Sequence, residues 1–152
     1  MPSEATQNQT FMTLAQKMIH GELPPLPLAT LLGFNPTFIE PGQAIFEYET
    51  NDRHANPMGT LHGGILCTIA DSAMGMAYAS LLEAGESFTT LEMKINFLKP
   101  VWHAKLRAVG RVIKNGRTIG LVECDVLDEK DQLVAHATST CMTLRGEQAQ
   151  GR

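Results

Sequence analysis

The sequence predicts an α+β fold in which an antiparallel sheet of about five to six strands lies around one long central helix. Two segments with the residue pattern of strands precede a long apolar segment without proline, and four such segments joined by short turns follow it. Antiparallel strands in this order usually bury one face of their sheet. Because only one long apolar helix is available, we expect the sheet to pack against it.

Composition and charge exclude several classes of protein. The chain has 152 residues, of which 43% are hydrophobic and 18% charged, and this suits one globular domain. No apolar stretch approaches the ~18 residues of a transmembrane helix and the N-terminus lacks signal-peptide features, so we expect a cytoplasmic protein without a membrane partner. The net charge of −4 gives no basic field for nucleic acid. The three cysteines are far apart, which argues against disulfides and structural zinc, and we expect no metal.

The predicted domain occupies residues 34–145, between an N-terminal arm over 1–33 and a polar tail over 146–152 that is expected to be disordered. The first ten residues are polar and are expected to fray. A short amphipathic helix is predicted from Thr10 to His20 and another from Pro27 to Leu32. Prolines exclude a regular helix between them, and this apolar arm is a candidate lid over a pocket.

Six segments have the alternation or the flanking turn signals of strands. They are Phe34–Glu40, Ala44–Thr50, Thr89–Leu98, Lys105–Lys114, Thr118–Leu127 and Leu133–Leu144. In the third, the apolar residues Leu91, Met93, Ile95 and Phe97 are predicted to face one way, because side chains alternate along a strand. Asn115-Gly116, between the fourth and the fifth, is a strong hairpin signal.

The central helix is predicted over Gly64–Ser80 and is apolar around most of its circumference, which is typical of a buried helix. Its small and polar residues fall in one narrow stripe, made of Thr68, Asp71, Ser72 and Gly75. Asp71 has two interpretations: a buried acid that bonds a nearby N–H or hydroxyl, or a carboxylate held in a pocket as base or nucleophile. The helix start at His62-Gly63-Gly64 favours the second, because free N–H groups there stabilise an oxyanion.

Several motifs resemble those of one known family. The stretch NPMGTLHGGILCTIADSAMGMA begins at Asn56, and TTLEMKINFLKP, KNGRT and an apolar last strand follow it. Together they resemble the hotdog-fold acyl-CoA thioesterases of the PaaI-like group (phenylacetate-pathway, 4HBT-type), over roughly Phe34 to Leu144. The resemblance implies an antiparallel sheet wrapped around one helix. It also implies hydrolysis of an acyl-CoA thioester to a free acid and coenzyme A, with no cofactor beyond the coenzyme A of the substrate.

The resemblance implies catalytic roles for Asp71, Gly63, His62, Asn56 and Thr90. Asp71 matches the carboxylate that attacks the thioester or activates water, and Gly63 matches the N–H donor that polarises the carbonyl. His62 matches a residue that supports this loop, and Asn56 one that orients substrate or water. Thr90 matches a hydroxyl that assists the carboxylate, although neighbouring Thr89 is a competing candidate. His62 and Asn56 also have the simpler interpretations of a loop residue and a turn residue.

In this family two subunits form each active site, and dimers commonly pair into tetramers. We therefore expect a homodimer with shared sites, in which Asn56, His62 and Gly63 of one subunit face Asp71 and Thr90 of the other. A dimer of dimers is also expected. The surface that contacts coenzyme A is expected to comprise Gly64, Lys99, Pro100, Lys114, Asn115, Gly116, Arg117 and Thr118. Each basic residue in this set has the alternative interpretation of a solvated surface charge.

Two other functions remain open from the sequence. A hydratase or dehydratase acting on acyl thioesters would use a His–Asp pair for proton transfer, and His62 with Asp71 is a candidate pair. A non-catalytic acyl-CoA binding protein would bind the ligand without hydrolysis. Cys67 is interpreted as a core thiol and not as a nucleophile, because it falls in a buried helix without a cationic partner.

Overall fold

The structure, a computed structural model, describes residues 10–151. Within them lie the helices α1 (Phe11–Ile19), α2 (Pro27–Leu32) and α3 (Gly63–Ala79). The strands are β1 (Phe34–Glu40), β2 (Gln43–Glu49), β3 (Ser87–Phe97), β4 (Lys105–Asn115), β5 (Ile119–Leu127) and β6 (Leu133–Leu144). The predicted fraying of residues 1–10 lies outside the described residues except at Thr10, which caps α1. None of the helices between residues 10 and 151 has the length and apolarity needed to cross a bilayer.

The six strands form one antiparallel sheet in the order β1-β2-β4-β5-β6-β3. Short turns make β4, β5 and β6 neighbours, whereas β3 pairs with β6 at the far edge of the sheet. α3 lies between β2 and β3 in the chain and packs across the sheet, in contact with every strand. The prediction of an antiparallel sheet of five to six strands around one central helix is therefore confirmed.

α3 approaches the sheet closely at two glycines. A Cβ atom at Gly110 on β4 would lie 2.4 Å from the backbone oxygen of Ala73, and one at Gly120 on β5 would lie 2.2 Å from the Tyr78 ring. The buried Tyr78 hydroxyl also pairs with Thr143 Oγ1 on β6, at 2.7 Å. These contacts fix the rotation of the helix over the sheet, and with it the direction in which the stripe of small residues faces.

β3 contains a β-bulge between Thr90 and Glu92 in its pairing with β6. Leu91 is the extra residue, and it is 50% exposed. Met93 and Ile95, beyond the bulge, pack against the core as predicted. The prediction that Leu91 shares their face is wrong, because an extra residue on one strand reverses the alternation of side chains across it.

The two ends of the described chain are held by different contacts. α1 lies against β1 and α3, and the Phe11 ring meets the Phe88 ring of β3 edge-on, with 6.4 Å between centroids. At the other end, Gly146–Ala149 forms a 3-10 helix where the sequence predicts disorder. Arg145 Nε donates to Glu86 Oε1 at 2.7 Å, and this ion pair holds the residue before the tail against the loop before β3.

Candidate active site

Asp71 and Thr90 form the polar centre of the candidate site. Asp71 lies in the middle of α3, and Thr90 Oγ1 on β3 donates a hydrogen bond to Asp71 Oδ1 at 3.3 Å. Burial raises the pKa of the Asp71 carboxyl above its ordinary value, and the Thr90 hydrogen bond opposes this shift without cancelling it. A half-buried carboxylate with a raised pKa and a hydroxyl partner is suited to act as a base or a nucleophile.

The bulge at Leu91 decides which threonine meets Asp71. Thr90 pairs with Cys141, which is fully buried, so Thr90 lies on the face of β3 that turns toward the helix. Thr89 pairs with Met142 and lies on the opposite face. Unbroken alternation back from Met93 would have turned Thr89 toward the helix instead. Of the two threonines that the sequence leaves open, Thr90 is the one that contacts Asp71.

The start of α3 presents one unbonded backbone N–H. His62 caps the helix, since its Nδ1 accepts a 2.8 Å hydrogen bond from the Gly64 N–H. The His62 N–H in turn donates to the His54 carbonyl at 2.9 Å. Among residues 10–151, no group accepts a hydrogen bond from the Gly63 N–H. An unbonded N–H at the positive end of a helix dipole is suited to stabilise an oxyanion.

Asn56 shapes the loop that leads to His62. Its Oδ1 accepts from the N–H of Met58 at 3.0 Å and from the N–H of Thr60 at 3.2 Å, and its Nδ2 donates to Thr60 Oγ1 at 2.7 Å. These contacts fit the interpretation of Asn56 as a turn residue. Its role toward substrate or water stays a prediction.

The two parts of the candidate site lie apart within one chain. Asp71 follows Gly63 by eight positions on the continuous helix α3, which corresponds to about 12 Å along the helix axis. His62 lies one position further away. The carboxylate therefore cannot reach a carbonyl bound at the Gly63 N–H of the same chain. Likewise, His62 and Asp71 of one chain do not form the proton-transfer pair that a hydratase would use.

A cavity of about 510 Å³ opens beside Asp71 and Thr90. It follows α3 from Asp71 past Gly75 to Ala79, along the stripe of small residues predicted from the sequence. β3, the N-terminal arm and Phe46 of β2 form its other walls, and Asp71, Ser72 and Thr90 are its polar lining residues. The site therefore combines a carboxylate, a hydroxyl and a long apolar recess, which suits a substrate with a reactive carbonyl and an apolar tail.

Residues 58–135, just over half of the chain, match the sequence profile of the thioesterase superfamily. The chain belongs to the thioesterase superfamily. Human acyl-coenzyme A thioesterase 13 is 30% identical over 105 residues, which cover 66% of this chain and 72% of that protein. The 1,4-dihydroxy-2-naphthoyl-CoA hydrolase of Listeria monocytogenes is 26% identical over 113 residues, which cover 74% of this chain and 92% of that protein.

Solved structures show the same fold. The PaaI protein of the E. coli phenylacetic acid degradation operon superposes with a TM-score of 0.78, over 90% of this chain and 98% of that one, at 22% identity. At this identity the likeness concerns the fold alone. The predicted hotdog fold, an antiparallel sheet wrapped around a central helix, is thus confirmed for this thioesterase superfamily member.

In this superfamily member the residues predicted to contact coenzyme A fall in two places. Lys99 and Pro100 follow Phe97, whose ring lies against Gly63 at the start of α3, whereas the turn Lys114–Thr118 precedes Gly120, which meets Tyr78 near the end of α3. Gly63 and Tyr78 are 15 positions apart on α3, which corresponds to about 22 Å along the helix axis. One chain therefore does not bring the two groups together, and Gly64, with its N–H bonded to His62, lies at the first of them.

The basic residues of this set differ in their partners. Lys99 is ion-paired with the buried carboxylate of Asp128 and also bonds Gln132. Lys114 and Arg117 are exposed, and neither has an ion-pair partner in the part of the chain that the structure describes. The charges at the Lys114–Thr118 turn are therefore available to an anionic ligand, whereas that of Lys99 is largely neutralised.

Cys67 lies near the site but is not activated. Burial raises the pKa of its thiol, and the nearby Asp71 charge raises it further. The thiol is therefore protonated at neutral pH, in agreement with the prediction that it is not a nucleophile. Cys67 is half-buried and lies outside the buried core, so its interpretation as a core residue is not confirmed. Among residues 10–151, no three His, Cys, Asp or Glu side chains are grouped so that they could hold a metal ion.

Two aromatic residues complete the site of this superfamily member and were not predicted from the sequence. A Cβ atom at Gly63 would lie 2.8 Å from Cζ of Phe97, and one at Gly75 would lie 3.2 Å from Cζ of Phe88. The two rings thus lie against two glycines of α3. Strand alternation could indicate which way each ring points, but no sequence pattern indicates which part of the helix it meets.

Proposed function

We propose that this protein is an acyl-CoA thioesterase, which hydrolyses an acyl-CoA thioester to a free acid and coenzyme A. The observation that carries the proposal is the Asp71 carboxylate, with its raised pKa, at the polar end of a 510 Å³ apolar cavity. The name of the human relative, an acyl-coenzyme A thioesterase, supports the same substrate class. The reaction needs no cofactor or metal, and its setting is cytoplasmic.

Asp71 promotes attack on the thioester carbon in one of two ways. As a general base it takes a proton from water while the water oxygen attacks, and the carbonyl electrons move onto the oxygen. As a nucleophile its carboxylate attacks directly and forms an acyl anhydride, which water then hydrolyses. In both cases the oxyanion collapses, the carbon–sulfur bond breaks, and the thiolate of coenzyme A leaves and takes up a proton.

The other residues support this chemistry. The Gly63 N–H donates to the developing oxyanion, a contribution worth roughly 2.7–4 kcal/mol for one such donor. His62 holds the helix start by accepting from the Gly64 N–H, and Asn56 holds the loop before it. The Thr90 hydroxyl orients the Asp71 carboxylate or the attacking water.

The separation of Gly63 from Asp71 supports a site shared between two subunits. Because about 12 Å of helix lies between them, the carbonyl-binding N–H and the carboxylate act on one thioester only if they come from different chains. A two-fold homodimer supplies two such sites, each with Gly63 from one subunit and Asp71 from its partner. Pairing of two dimers into a tetramer is part of the same proposal.

Coenzyme A carries phosphates, and the exposed Lys114–Thr118 turn is the surface proposed to bind them. Arg117 and Lys114 lie on either side of Asn115-Gly116, so their charges converge on one small area of surface. The Lys99-Pro100 corner contributes less charge, because Asp128 already neutralises Lys99. Arg is well suited to phosphate since its planar guanidinium bonds two oxygens at once.

The proposal is tested by measuring thiol release from short, long and aromatic acyl-CoAs. The wild-type protein is expected to release free thiol, and Asp71→Asn is expected to keep its fold and bind acyl-CoA but lose nearly all turnover. Substantial turnover by Asp71→Asn would exclude Asp71 as the reacting group. Double-bond formation or hydration without thiol release would indicate a hydratase or dehydratase instead.

The shared site is tested by complementation. Asp71→Asn and Gly63→Val are each expected to be inactive alone, because each variant homodimer has a defect in both of its sites. A heterodimer of the two variants has one site with wild-type Gly63 and Asp71, so random mixing should restore roughly a quarter of wild-type activity. No recovery from a verified heterodimer would show that each site lies within one chain.

A further inference from the structure

We propose that the cavity beside Asp71 selects acyl groups whose far end carries neither a charge nor a hydroxyl, and that α1 supplies the wall that makes this selection. This inference rests on the proposed thioesterase function, and it names the substrate class of the same site. It follows from the direction of the cavity, from the position of its polar groups and from the helix that covers it.

The cavity has a polar end and an apolar end. Asp71 and Ser72 lie at the polar end, while Gly75, Met76 and Ala79 continue the lining along α3. The eight positions from Asp71 to Ala79 span about 12 Å. An acyl group whose carbonyl lies at Asp71 therefore extends along the apolar part, toward the C-terminal end of the helix.

The hydroxyl groups at the lining already donate hydrogen bonds within the protein. Ser72 Oγ donates to the Thr68 carbonyl at 2.8 Å, and Thr90 donates to Asp71. The described residues that line the cavity include no Lys, Arg, His, Asn or Gln. A hydroxyl or carboxylate at the far end of an acyl group would thus be buried without a partner, and a buried charge without a partner is strongly disfavoured.

α1 closes the cavity with one face of a short helix. Phe11, Leu14, Ala15 and Met18 line the cavity at positions i, i+3, i+4 and i+7, which is the spacing of one helical face. None of these four side chains is a partner in the Asp71–Thr90 hydrogen bond or in the His62–Gly64 hydrogen bond at the start of α3. Changes on this face should therefore alter which acyl group binds while leaving the reacting groups in place.

The main test compares pairs of acyl-CoAs that differ only at the far end. Octanoyl-CoA is paired with its ω-carboxylated analogue, suberyl-CoA, and phenylacetyl-CoA with 4-hydroxyphenylacetyl-CoA. The apolar member should have the higher kcat/KM in both pairs. The ratio of the two kcat/KM values should reach at most about 10² for the hydroxyl pair, which is the limit for an apolar pocket. It should be larger for the carboxylate pair. Equal kcat/KM values within the pairs, or preference for the polar member, would overturn the inference.

A second test places the selection in α1. Leu14→Asn should lower kcat/KM for octanoyl-CoA through KM, by about fourfold for each methylene that loses its apolar contact, and should lower kcat/KM for acetyl-CoA much less. Gln16→Asn is the matched control, since Gln16 is exposed on the same helix and should have no effect on either substrate. An equal loss with both substrates would contradict the assignment of α1 as a selective wall.

The two proposals can fail separately. If no acyl-CoA is hydrolysed, the proposed function fails, and calorimetric binding of the same pairs still tests the inference. Tighter binding of octanoyl-CoA than of suberyl-CoA to Asp71→Asn would support the apolar selection. Equal binding would overturn it, whatever the catalytic result.

Discussion

The Thr90 hydroxyl donates to the Asp71 carboxylate at 3.3 Å, and this bond links the middle of the central helix to the edge strand β3. It forms because Leu91 is an extra residue in β3, which reverses the alternation of side chains before it. The acid in the apolar helix is thus paired with a hydroxyl that a regular strand would have turned away.

Replacement of Thr90 by Val should lower kcat by roughly 10- to 100-fold, because a hydrogen bond to a charged group is worth about 1.5–3 kcal/mol. Thr89→Val is the matched control, since Thr89 is the neighbouring threonine on the opposite face of the strand. Thiol-release kinetics measure kcat for both variants. A larger loss in Thr89→Val than in Thr90→Val would show that the strand has the other alternation.

The pH profile of kcat/KM should have an acid limb whose apparent pKa lies above that of an ordinary aspartate. In the proposed mechanism Asp71 reacts only when ionised. Because burial raises the pKa of its carboxyl, kcat/KM should rise with pH through this raised pKa. Asp52→Asn is a suitable control, because the Asp52 side chain is 88% exposed and lies outside the site. A limb at the ordinary aspartate pKa would argue that a different group titrates.

The same shift predicts the effect of Asp71→Asn on stability. A carboxyl whose folded pKa is raised destabilises the fold once it is ionised, so the native protein loses stability as pH rises from the ordinary aspartate pKa through the raised value. At neutral pH, Asp71→Asn should therefore raise the melting temperature. The difference from wild type should vanish below the ordinary aspartate pKa, and thermal denaturation over a pH series measures it.

Gly63→Ala should reduce kcat because its new methyl group meets the Phe97 ring, at 2.8 Å from Cζ before any adjustment. Phe97 is 54% exposed, so its ring can move and the variant should still fold. Phe97→Leu should be mild alone, and in the double variant it should restore part of the lost kcat. No rescue in the double variant would show that the methyl group disturbs the oxyanion site directly.

Replacement of Lys114 or Arg117 should affect substrate binding, whereas replacement of Lys99 should affect stability. Lys114→Ala and Arg117→Ala should each raise the KM for acyl-CoA by a few-fold without changing kcat, because exposed charges contribute about 0.2–1 kcal/mol each. Lys99→Met should instead lower stability, because Lys99, together with the backbone N–H groups of Gln132 and Lys130, lowers the pKa of Asp128 to about 2. That stabilisation is present above the ordinary aspartate pKa and is lost as pH falls toward 2.

Steady-state kinetics and thermal denaturation of the three variants distinguish these classes. The difference in melting temperature between Lys99→Met and the wild type should shrink as the pH is lowered toward 2. A rise in KM for Lys99→Met that equals the rise for Arg117→Ala, at unchanged stability, would contradict the division.

Much of the fold follows from local patterns in the sequence. The six strands and the two arm helices lie close to their predicted bounds, and the Asn115-Gly116 turn joins β4 to β5 as expected. These features depend on alternation, proline and turn residues, which act over a few positions. The stripe that contains Asp71 was predictable for the same reason, since helical spacing alone defines it.

The remaining features depend on contacts between distant parts of the chain. No local pattern marks Leu91 as a bulge, because a leucine in an alternating run is an ordinary strand residue. The hydrogen bond from the Gly64 N–H to His62 Nδ1 depends on the rotamer of the histidine side chain. The ion pair of Lys99 with Asp128 joins residues 29 positions apart. Disorder is predicted for residues 146–152, whereas Gly146–Ala149 forms a 3-10 helix. The Arg145–Glu86 ion pair just before it joins residues 59 positions apart, which no local pattern indicates.

The lack of basic residues around the cavity has a consequence for the end of the reaction. In the proposed reaction, hydrolysis turns an uncharged acyl group into a free carboxylate beside the Asp71 carboxylate, and two like charges in a partly desolvated space repel each other. The described lining offers no Lys, Arg or His to offset this repulsion. In the proposed reaction this repulsion favours release of the product acid, against the attraction of the Gly63 N–H at the carbonyl. Release then frees the site for the next thioester.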